Sequence, residues 1–502
     1  MLSGVINTNV DALYALNSLS STTNTTNTLE EELSTGLSIN SPADNPAGYI
    51  AAQGFTAQLS GISQATSNAN QDISLVQTAD GAITQQVNIL QNILSIASQA
   101  ANGGATSSQL AALQQVVSQL QTQVSSISNQ TNFNGVTLLD GTFQGVNFQV
   151  GADAGQTIGL SIGSTAANQI GAYQSSASST GTPYHTDGVG TGAVADDTGA
   201  SYAITSGGTG AFTAGTVGVS GSAGNASFTV SAKTESAQGV AQAINQITSS
   251  TNVNAVADTS VAFTVGAGSF SFDLGNGTGA AQTNGTQITA TVTSVSQSGL
   301  ASLVNAINEN TGTTGTTATV NSSNQLVLTN ASGDNISIKS FSGTGSLTAG
   351  GTTSTVIEAS GGTTSATIQG LVTLQSNQSF ALSAAASDVG LNTGSALSAL
   401  SSINVSTAAG ATAALNVVNY ALQQLESVGS QLGATQQELQ ATVSNLQSAD
   451  TNITAAQGVV QDANIPQVST ALTQQEILQQ AGVSALAQSS TLQQAFLKLL
   501  QS

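Results

Sequence analysis

The chain has 502 residues, and only 5% of them are charged, against about 25% in an average globular protein. Three Lys, no Arg and 24 acidic residues give a formal net charge of -21 at pH 7. This balance excludes a nucleic-acid partner, because contacts to a phosphate backbone depend on Lys and Arg. The absence of Cys excludes zinc–thiolate sites, and a single His, His185, excludes a His-pair metal site. We therefore predict no cofactor and no metal.

Features of a membrane protein or an enzyme are also missing. We find no run of about 20 apolar residues, so we predict no membrane insertion. The N-terminus lacks the basic flank and apolar run of a cleavable signal peptide, so export would need a dedicated machine. The adjacent carboxylates Asp196 and Asp197 lie in a Gly/Thr-rich stretch, and Glu30, Glu31 and Glu32 fit a helix surface. We predict no enzymatic activity.

Residues 1–140 have the apolar spacing of helices. From Gly61 onward the apolar residues recur mostly every three, four or seven positions, as on one helix face. They are Ile62, Ala65, Ala69, Ile73, Val76, Ile83, Val87, Leu90, Leu94 and Ala97. A second helix follows Gly103-Gly104 and ends at a polar turn, 132–135, before a strand-like segment at 136–139.

Residues 400–502 repeat the helical pattern. One apolar stripe runs from Leu415 to Ala456 through more than ten turns, and Pro466 interrupts it. A second helix is predicted from about Thr473 to Leu500. A stripe of this length with few capping residues is typical of coiled-coil packing.

Residues 141–400 are rich in Gly, Ser and Thr and contain short alternating segments, for example 148–150, 226–230 and 325–329. The segments AQGVAQAINQ (237–246) and LASLVNAINE (300–309) align at an offset of 63 residues. We interpret this as an internal repeat of two small β-rich modules with one helix each, at about 215–260 and 286–340. A low-complexity linker is the alternative.

These patterns predict an α+β fold. The terminal helices pair as a coiled-coil-like α-helical rod, and β-rich outer domains are inserted in the middle. Helices at opposite ends of a chain can pair only if the residues between them form a separate region whose two ends both lie at the helical rod.

The two ends resemble those of bacterial flagellins. At the N-terminal end the resemblance is carried by VINTN (5–9), by the nearly continuous stretch 33–82 and by QTNFNGVTLLDG (130–141). At the C-terminal end it is carried by QLGATQQEL (431–439), NLQSADTNITAAQGVVQDAN (445–464), EILQQAGVSALAQ (476–488) and AFLKLLQ (495–501). The resemblance covers roughly residues 1–170 and 400–502. The family usually has Arg where this chain has Glu32, Ser38, Asn92, Leu94 and Val459.

The resemblance implies a structural subunit that polymerises into the extracellular flagellar filament for swimming motility. It implies secretion by the type III flagellar export apparatus with an export chaperone, and contacts with further copies, the flagellar cap and hook-associated proteins. The implied divisions are an inner-core helix (1–40), an N-terminal rod with a β-hairpin region (41–172), surface modules (173–396), a C-terminal rod helix (397–462) and a second inner-core helix (463–502).

Apolar residues of the ends are the predicted self-assembly positions. They are Ile6, Leu13, Leu16, Leu33, Leu37, Ile39, Leu415, Leu422, Leu432, Leu439, Leu446, Ile477, Leu478, Leu486, Phe496, Leu499 and Leu500. Residues 17–28 are poor helix formers, which fits terminal segments that fold only among neighbours. Open-ended heterologous contacts between such segments build helical filaments.

Two other readings remain at this point. The first is a hook–filament junction protein, which shares terminal helices with flagellins. The second is a surface adhesin or secreted hydrolase with β modules. The resemblance also marks 90–99 as the segment that an innate immune receptor contacts in flagellins of the best-known type, with two Arg and one Glu. Here Asn92, Leu94 and Ser95 stand at those places.

Overall fold

The structure is a computed structural model. It describes residues 9–102, 104–175, 192–195, 201–205, 215–230, 236–276, 283–321, 323–349, 355–359, 365–383 and 391–501. His185, Asp196, Asp197 and Ile6 lie outside these ranges.

Long helices dominate both ends of the described chain, and the short helices α4 to α7 lie among the central strands. The ranges of all helices follow. They are α1 (Val10–Thr35), α2 (Pro46–Ala101), α3 (Ser107–Gln130), α4 (Ala237–Asn245), α5 (Thr248–Thr251), α6 (Ala301–Asn308), α7 (Thr311–Thr314), α8 (Ala408–Gln461) and α9 (Ile465–Gln501). The apolar pattern predicted that the last helix starts at about Thr473, but α9 begins eight residues earlier, at Ile465. The reason is that Pro466 occupies the first turn, where the missing N–H of proline breaks no hydrogen bond.

Strands fill most of the central region. They are β1 (Asn132–Phe133), β2 (Val136–Thr137), β3 (Val146–Gln149), β4 (Thr157–Leu160), β5 (Gly171–Ser175), β6 (Gly192–Ala195), β7 (Ser201–Thr205), β8 (Gly215–Gly221), β9 (Gly224–Val230), β10 (Asn254–Gly266), β11 (Gly268–Asn276), β12 (Thr283–Val292), β13 (Thr317–Val320), β14 (Leu326–Asn330), β15 (Ile336–Gly343), β16 (Ser346–Ala349), β17 (Thr355–Ile357), β18 (Ala366–Gln369), β19 (Leu371–Ser376), β20 (Ala381–Leu382) and β21 (Ala396–Ala399). The fold is therefore α+β, with helical ends and a β-rich centre.

The chain forms two compact units. The smaller unit contains the described residues of Met1–Gln77, Gly145–Leu160 and Gly433–Ser502. The larger unit contains Thr78–Gln144 and Ser161–Leu432. Each unit thus combines residues from distant parts of the sequence.

In the smaller unit, α1 lies antiparallel to α9. The Gln479 side chain donates to Thr23 Oγ1 at 3.4 Å, and the Asn9 side chain donates to the Ser489 carbonyl at 3.4 Å. Helix α1 begins where the Asn9 side chain accepts from Ala12 N, and it ends at Gly36, whose φ of 75° suits glycine. The two chain ends are thereby paired.

The polar middle of α1 is helical despite its poor intrinsic propensity. Five Thr hydroxyls there donate to the carbonyl four residues earlier, at 2.9–3.1 Å: Thr22, Thr23, Thr25, Thr26 and Thr28. Such bonds satisfy the hydroxyls without stabilising the helix. The helix therefore depends on packing against a partner.

The junction of the two chain ends is a short antiparallel bridge. Ser38 N donates to the Gln461 carbonyl at 2.7 Å, and Ala463 N donates to the Gly36 carbonyl at 2.9 Å. The Gln461 side chain also donates to the Ile39 carbonyl at 3.4 Å. Backbone hydrogen bonds thus join the α1–α2 connection to the α8–α9 connection.

In the larger unit, the end of α2 packs with α3 and the start of α8. Every third or fourth side chain of these segments is buried. The buried residues at predicted apolar positions are Ile83, Leu90, Ala97, Leu110, Val117, Val124, Val418, Leu425 and Leu432. Ala79, Ile93 and Ala421 are buried as well, whereas the predicted position Leu94 is only half-buried. Two buried amides tie the layers together. The Gln86 side chain donates to the Val124 carbonyl at 3.0 Å, and the Gln121 side chain donates to the Leu400 carbonyl at 2.7 Å.

The central strands form two modules with separate cores. Strand β10 is 13 residues long and belongs to both, because Asn254–Asp258 pair with β19 and Thr259–Phe263 pair with β14. One core contains Val240, Ile244 and Leu374, and the other contains Phe263, Phe272 and Phe341. The second module is inserted into the first, because β19 returns to complete the first sheet.

The hydrogen bonds of the two modules repeat at an offset of 63 residues. Asn245 exchanges hydrogen bonds with the backbone of Ala255 at 2.8 and 3.0 Å, and Asn308 does the same with Ala318 at 2.7 and 2.9 Å. This amide clamp fixes the strand that follows each short helix pair. The spacing equals the offset between the two helical sequence segments.

Candidate self-assembly surface

Helices α1 and α9 contribute little to the core of their own subunit. Thr26 is the only buried residue of α1, and Val468 is the only buried residue among the described side chains of α9. By contrast, α2 and α8 bury side chains along much of their length. Two helices with this little internal burial need additional packing partners to remain helical.

The exposed apolar side chains of α1 and α9 form what we call the terminal apolar face. Its members are Val10, Leu13, Tyr14, Leu16, Leu33, Ile465, Ile477, Leu478 and Val483. Leu13 is 56% exposed and Ile477 is 62% exposed. Ile477 and Leu478 also border a concave surface with Ser469 and Thr473. Exposed apolar side chains concentrated on two paired helices indicate an interaction site.

The structure separates the predicted assembly residues into three groups. Exposed positions are Leu13, Leu16, Leu33, Ile477 and Leu478, and half-buried positions are Leu37, Leu415, Leu422, Leu446 and Leu486. Ile39, Leu432 and Leu439 are buried within a single subunit. The last group therefore stabilises the subunit itself and is not available to a neighbour. The side chains of Phe496, Leu499 and Leu500 lie outside the described part.

Some exposed apolar residues were absent from the predicted set. Val10 and Tyr14 flank Leu13 on one side of α1, and Ile465 opens α9. Val459, near the end of α8, is 88% exposed. The three- and four-residue spacing of Val10, Leu13 and Tyr14 is the signal that could have identified the first two.

Two carboxylates of the smaller unit have pKa values shifted in opposite directions. Asp44 Oδ2 accepts from Ser41 N at 2.7 Å and from Asn40 N at 3.0 Å. These backbone N–H donors favour the charged form and lower the pKa of Asp44 below its ordinary value. Asp72, half-buried on α2, has its pKa raised to about 6 because burial penalises the charged form.

Replacement of Asp72 by Asn should weaken the pH dependence of stability. Because the folded-state pKa of Asp72 is raised, the protonated side chain contributes fully to the free energy of unfolding when the pH is below the ordinary Asp pKa. This contribution is lost as the pH rises through about 6. Asp72→Asn should therefore raise the unfolding temperature at pH 7 more than at about pH 4.5. Thermal unfolding followed by circular dichroism measures this. Asp80→Asn, at an exposed position of the same helix, is the control. If Asp72→Asn changed the unfolding temperature equally at both pH values, the expectation would be contradicted.

Residues 90–99, which the resemblance predicts to be the receptor-contacting segment, lie on α2 in the larger unit. Asn92 and Ser95 are exposed, and Leu94 is half-buried. Leu90, Ile93 and Ala97 are buried on the opposite side of this segment. The substituted positions are thus largely on the surface of the subunit.

The described residues lack two structural features. None of the helices there combines the length and apolar character needed to cross a membrane. Within the same ranges, no three acidic or His side chains are grouped so that they could hold a metal ion.

Comparisons with known proteins cover most of the chain. The bacterial flagellin N-terminal helical region matches residues 6–144, the flagellin hook IN motif matches 260–332, and the bacterial flagellin C-terminal helical region matches 415–500. The IN motif spans most of the second β module.

Several known proteins are similar to this chain. The B-type flagellin of Pseudomonas aeruginosa is 33% identical, with 99% of each chain covered. A flagellin of Xenorhabdus nematophila is 40% identical over 32% of this chain and 52% of its own length. Among solved structures, FliC from Burkholderia pseudomallei is 18% identical, with a TM-score of 0.28 over 73% of this chain and 98% of its own. Hook-associated protein 3 from Legionella pneumophila is 12% identical, with a TM-score of 0.36 over 80% of this chain and 97% of its own.

The full-length similarity to a B-type flagellin and the matches at both helical ends lead to one assignment. The chain belongs to the bacterial flagellin family, whose members are structural subunits of the extracellular flagellar filament.

Proposed function

We propose that subunits polymerise through the terminal apolar face. The observation that carries this proposal is that α1 and α9 bury almost nothing in their own subunit while they expose large apolar side chains. Contact between this face and neighbouring copies would remove those side chains from water, at about 25 cal/mol per Å² of apolar area. Because the contact is heterologous and does not close, it extends into a helical polymer.

Each predicted segment has its own position in the proposed filament. Residues 1–40 and 463–502 form the inner filament core, 41–172 and 397–462 form the rod, and 173–396 form the surface modules. The terminal helices fold fully only in the filament, which suits export of an unfolded chain through the type III flagellar apparatus with a chaperone. Cap and hook-associated proteins are the expected partners at the filament ends.

Substitution of exposed apolar residues tests the surface directly. In the double variant Ile477→Asp with Leu478→Asp, polymerisation should be lost, because two charges would be buried without partners at each contact. The monomer should remain folded, since both side chains are exposed in it. Negative-stain microscopy and sedimentation measure the polymer, and circular dichroism measures the monomer.

A matched control uses an exposed apolar residue elsewhere. Val295 is 53% exposed in the larger unit, outside both terminal helices. Val295→Asp should form filaments as the unmodified chain does. If the α9 double variant also forms normal filaments, the terminal apolar face is not the assembly contact.

Activation of the flagellin-sensing Toll-like receptor by the monomer should be weak. An interface that loses a bidentate Arg commonly loses a few kcal/mol, and this chain has Asn92 and Leu94 where Arg is usual. A reporter-cell assay with an Arg-bearing flagellin as reference measures the effect. The informative variant is Asn92→Arg with Leu94→Arg and Ser95→Glu, which should increase activation. Equal potency of the unmodified chain and the reference would refute the expectation.

A further inference from the structure

A polar cleft lies within the larger unit, where α8 faces β10 and β19. Its volume is about 550 Å³, and it is open to solvent on one side. Side chains of Asn416, Asn419 and Gln423 line it from the helix, and Gln375 and Val256 line it from the strands. This cleft is separate from the terminal apolar face, because its residues belong to neither α1 nor α9.

The amides of the helix form a row. Asn416, Asn419 and Gln423 are three and four residues apart, so they lie on one face of α8 at a spacing of about 5 Å along the axis. Asn419 and Gln423 are exposed and Asn416 is half-buried, so all three reach the solvent in the cleft. The row therefore presents donors and acceptors to whatever occupies the cleft.

The strand side supplies a buried amide. Gln375 is only 5% exposed, and it lines the cleft. Its backbone carbonyl is used, because the Tyr420 hydroxyl donates to it at 3.5 Å, and Tyr420 in turn accepts from the Asn254 side chain at 3.4 Å.

The charge and polarity of the lining limit the ligand. No Lys, Arg or His is among the lining residues, so an anionic ligand has no counter-charge there. Glu426, on the rim, disfavours anions further. Val256 is 44% exposed beside the amides and offers a small apolar contact.

We propose that this cleft binds a neutral saccharide. Each carboxamide places an N–H donor and a carbonyl acceptor side by side, which matches the adjacent hydroxyls of a sugar ring. A row of three amides along α8 can contact successive hydroxyl pairs, and the Gln375 amide closes the far side. The C–H face of a sugar ring fits against Val256. The site does not depend on polymerisation, so it can be tested on the monomer.

Titration of the full monomeric chain with neutral trisaccharides tests the proposal. The probes are maltotriose, cellotriose and chitotriose, with sialyllactose as the anionic probe and tetraglycine as a peptide probe. Saturation-transfer NMR and calorimetry should detect at least one neutral trisaccharide with a Kd of about 1 mM or lower. The triple variant Asn416→Ala, Asn419→Ala, Gln423→Ala should weaken that binding by about tenfold or more. The reason is that each hydrogen bond lost with a side chain removes part of the binding free energy.

The control variant removes exposed amides of the same helix outside the cleft. Gln437→Ala with Gln440→Ala should leave saccharide binding unchanged, and both variants should show the circular dichroism of the unmodified chain. Binding that survives the triple substitution would place the site elsewhere. Failure of all three neutral sugars at about 10 mM, or equal binding of sialyllactose or tetraglycine, would overturn the assignment.

Discussion

Removal of residues 465–502 should abolish polymerisation while the rest of the subunit, apart from α1, stays folded. The deletion takes away α9, with the exposed side chains of Ile477, Leu478 and Val483. Of its described side chains only Val468 is buried, so the subunit loses little of its own core. Helix α1 loses its antiparallel partner, and it should unfold because its polar middle has weak helix propensity. Negative-stain microscopy should show no filaments, and sedimentation should show monomer.

The matched control deletes the surface modules. Gln174 on β5 pairs with Ala396 on β21, so the two ends left by deleting 175–395 already lie side by side. A short Gly/Ser bridge between them forms a hairpin turn and leaves the helices unchanged. This variant should still polymerise, into thinner filaments. Normal filaments from the chain that lacks 465–502 would show that the inner core is assigned wrongly.

Much of the helical architecture could be predicted from the sequence, because apolar spacing is a local signal. The stripe through Leu90 and Ala97 is buried as its period requires. The same signal cannot tell which helix faces the subunit core and which faces a neighbour. Leu439 and Leu13 look alike in sequence, yet Leu439 is fully buried and Leu13 is 56% exposed. That difference depends on which chain segments pack together, and a local pattern does not contain it.

The β-rich centre was less predictable. The offset of 63 residues indicates two related modules, but not that β10 belongs to both of them. Pairing of Asn254 with Gln375 joins residues far apart in sequence, and no local turn signal marks it. The polar cleft was not foreseen for the same reason. Gln375 and Asn419 are unremarkable polar residues until the fold brings β19 and α8 together.

At low salt, filaments should remain assembled down to about pH 3, a lower pH than filaments of an Arg-bearing flagellin should tolerate. A formal charge of -21 per subunit at pH 7 is repeated along the polymer, so neighbours repel until salt screens them. With reference pKa values near 4, most Asp and Glu are protonated at about pH 3. Three Lys and one His then leave the subunit only a few units from neutral. A chain with many Arg would become strongly cationic instead.

As the pH falls, some carboxylates stabilise the folded subunit and others destabilise it. The acid stability of the subunit depends on the balance between them. The raised pKa of Asp72 favours the folded subunit as the pH falls below about 6. The lowered pKa of Asp44 and of Asp140, which accepts from Thr137 and Thr142, opposes this, because the stability they add is lost as the pH falls through their folded-state values. Asp44 is exposed and Asp140 is half-buried. These two carboxylates are few beside a net charge of -21, so we expect loss of intersubunit repulsion to dominate. Light scattering and microscopy from about pH 7 to pH 2.5 measure filament integrity beside the Arg-bearing reference. Depolymerisation at the same pH as the reference would refute this prediction of acid tolerance.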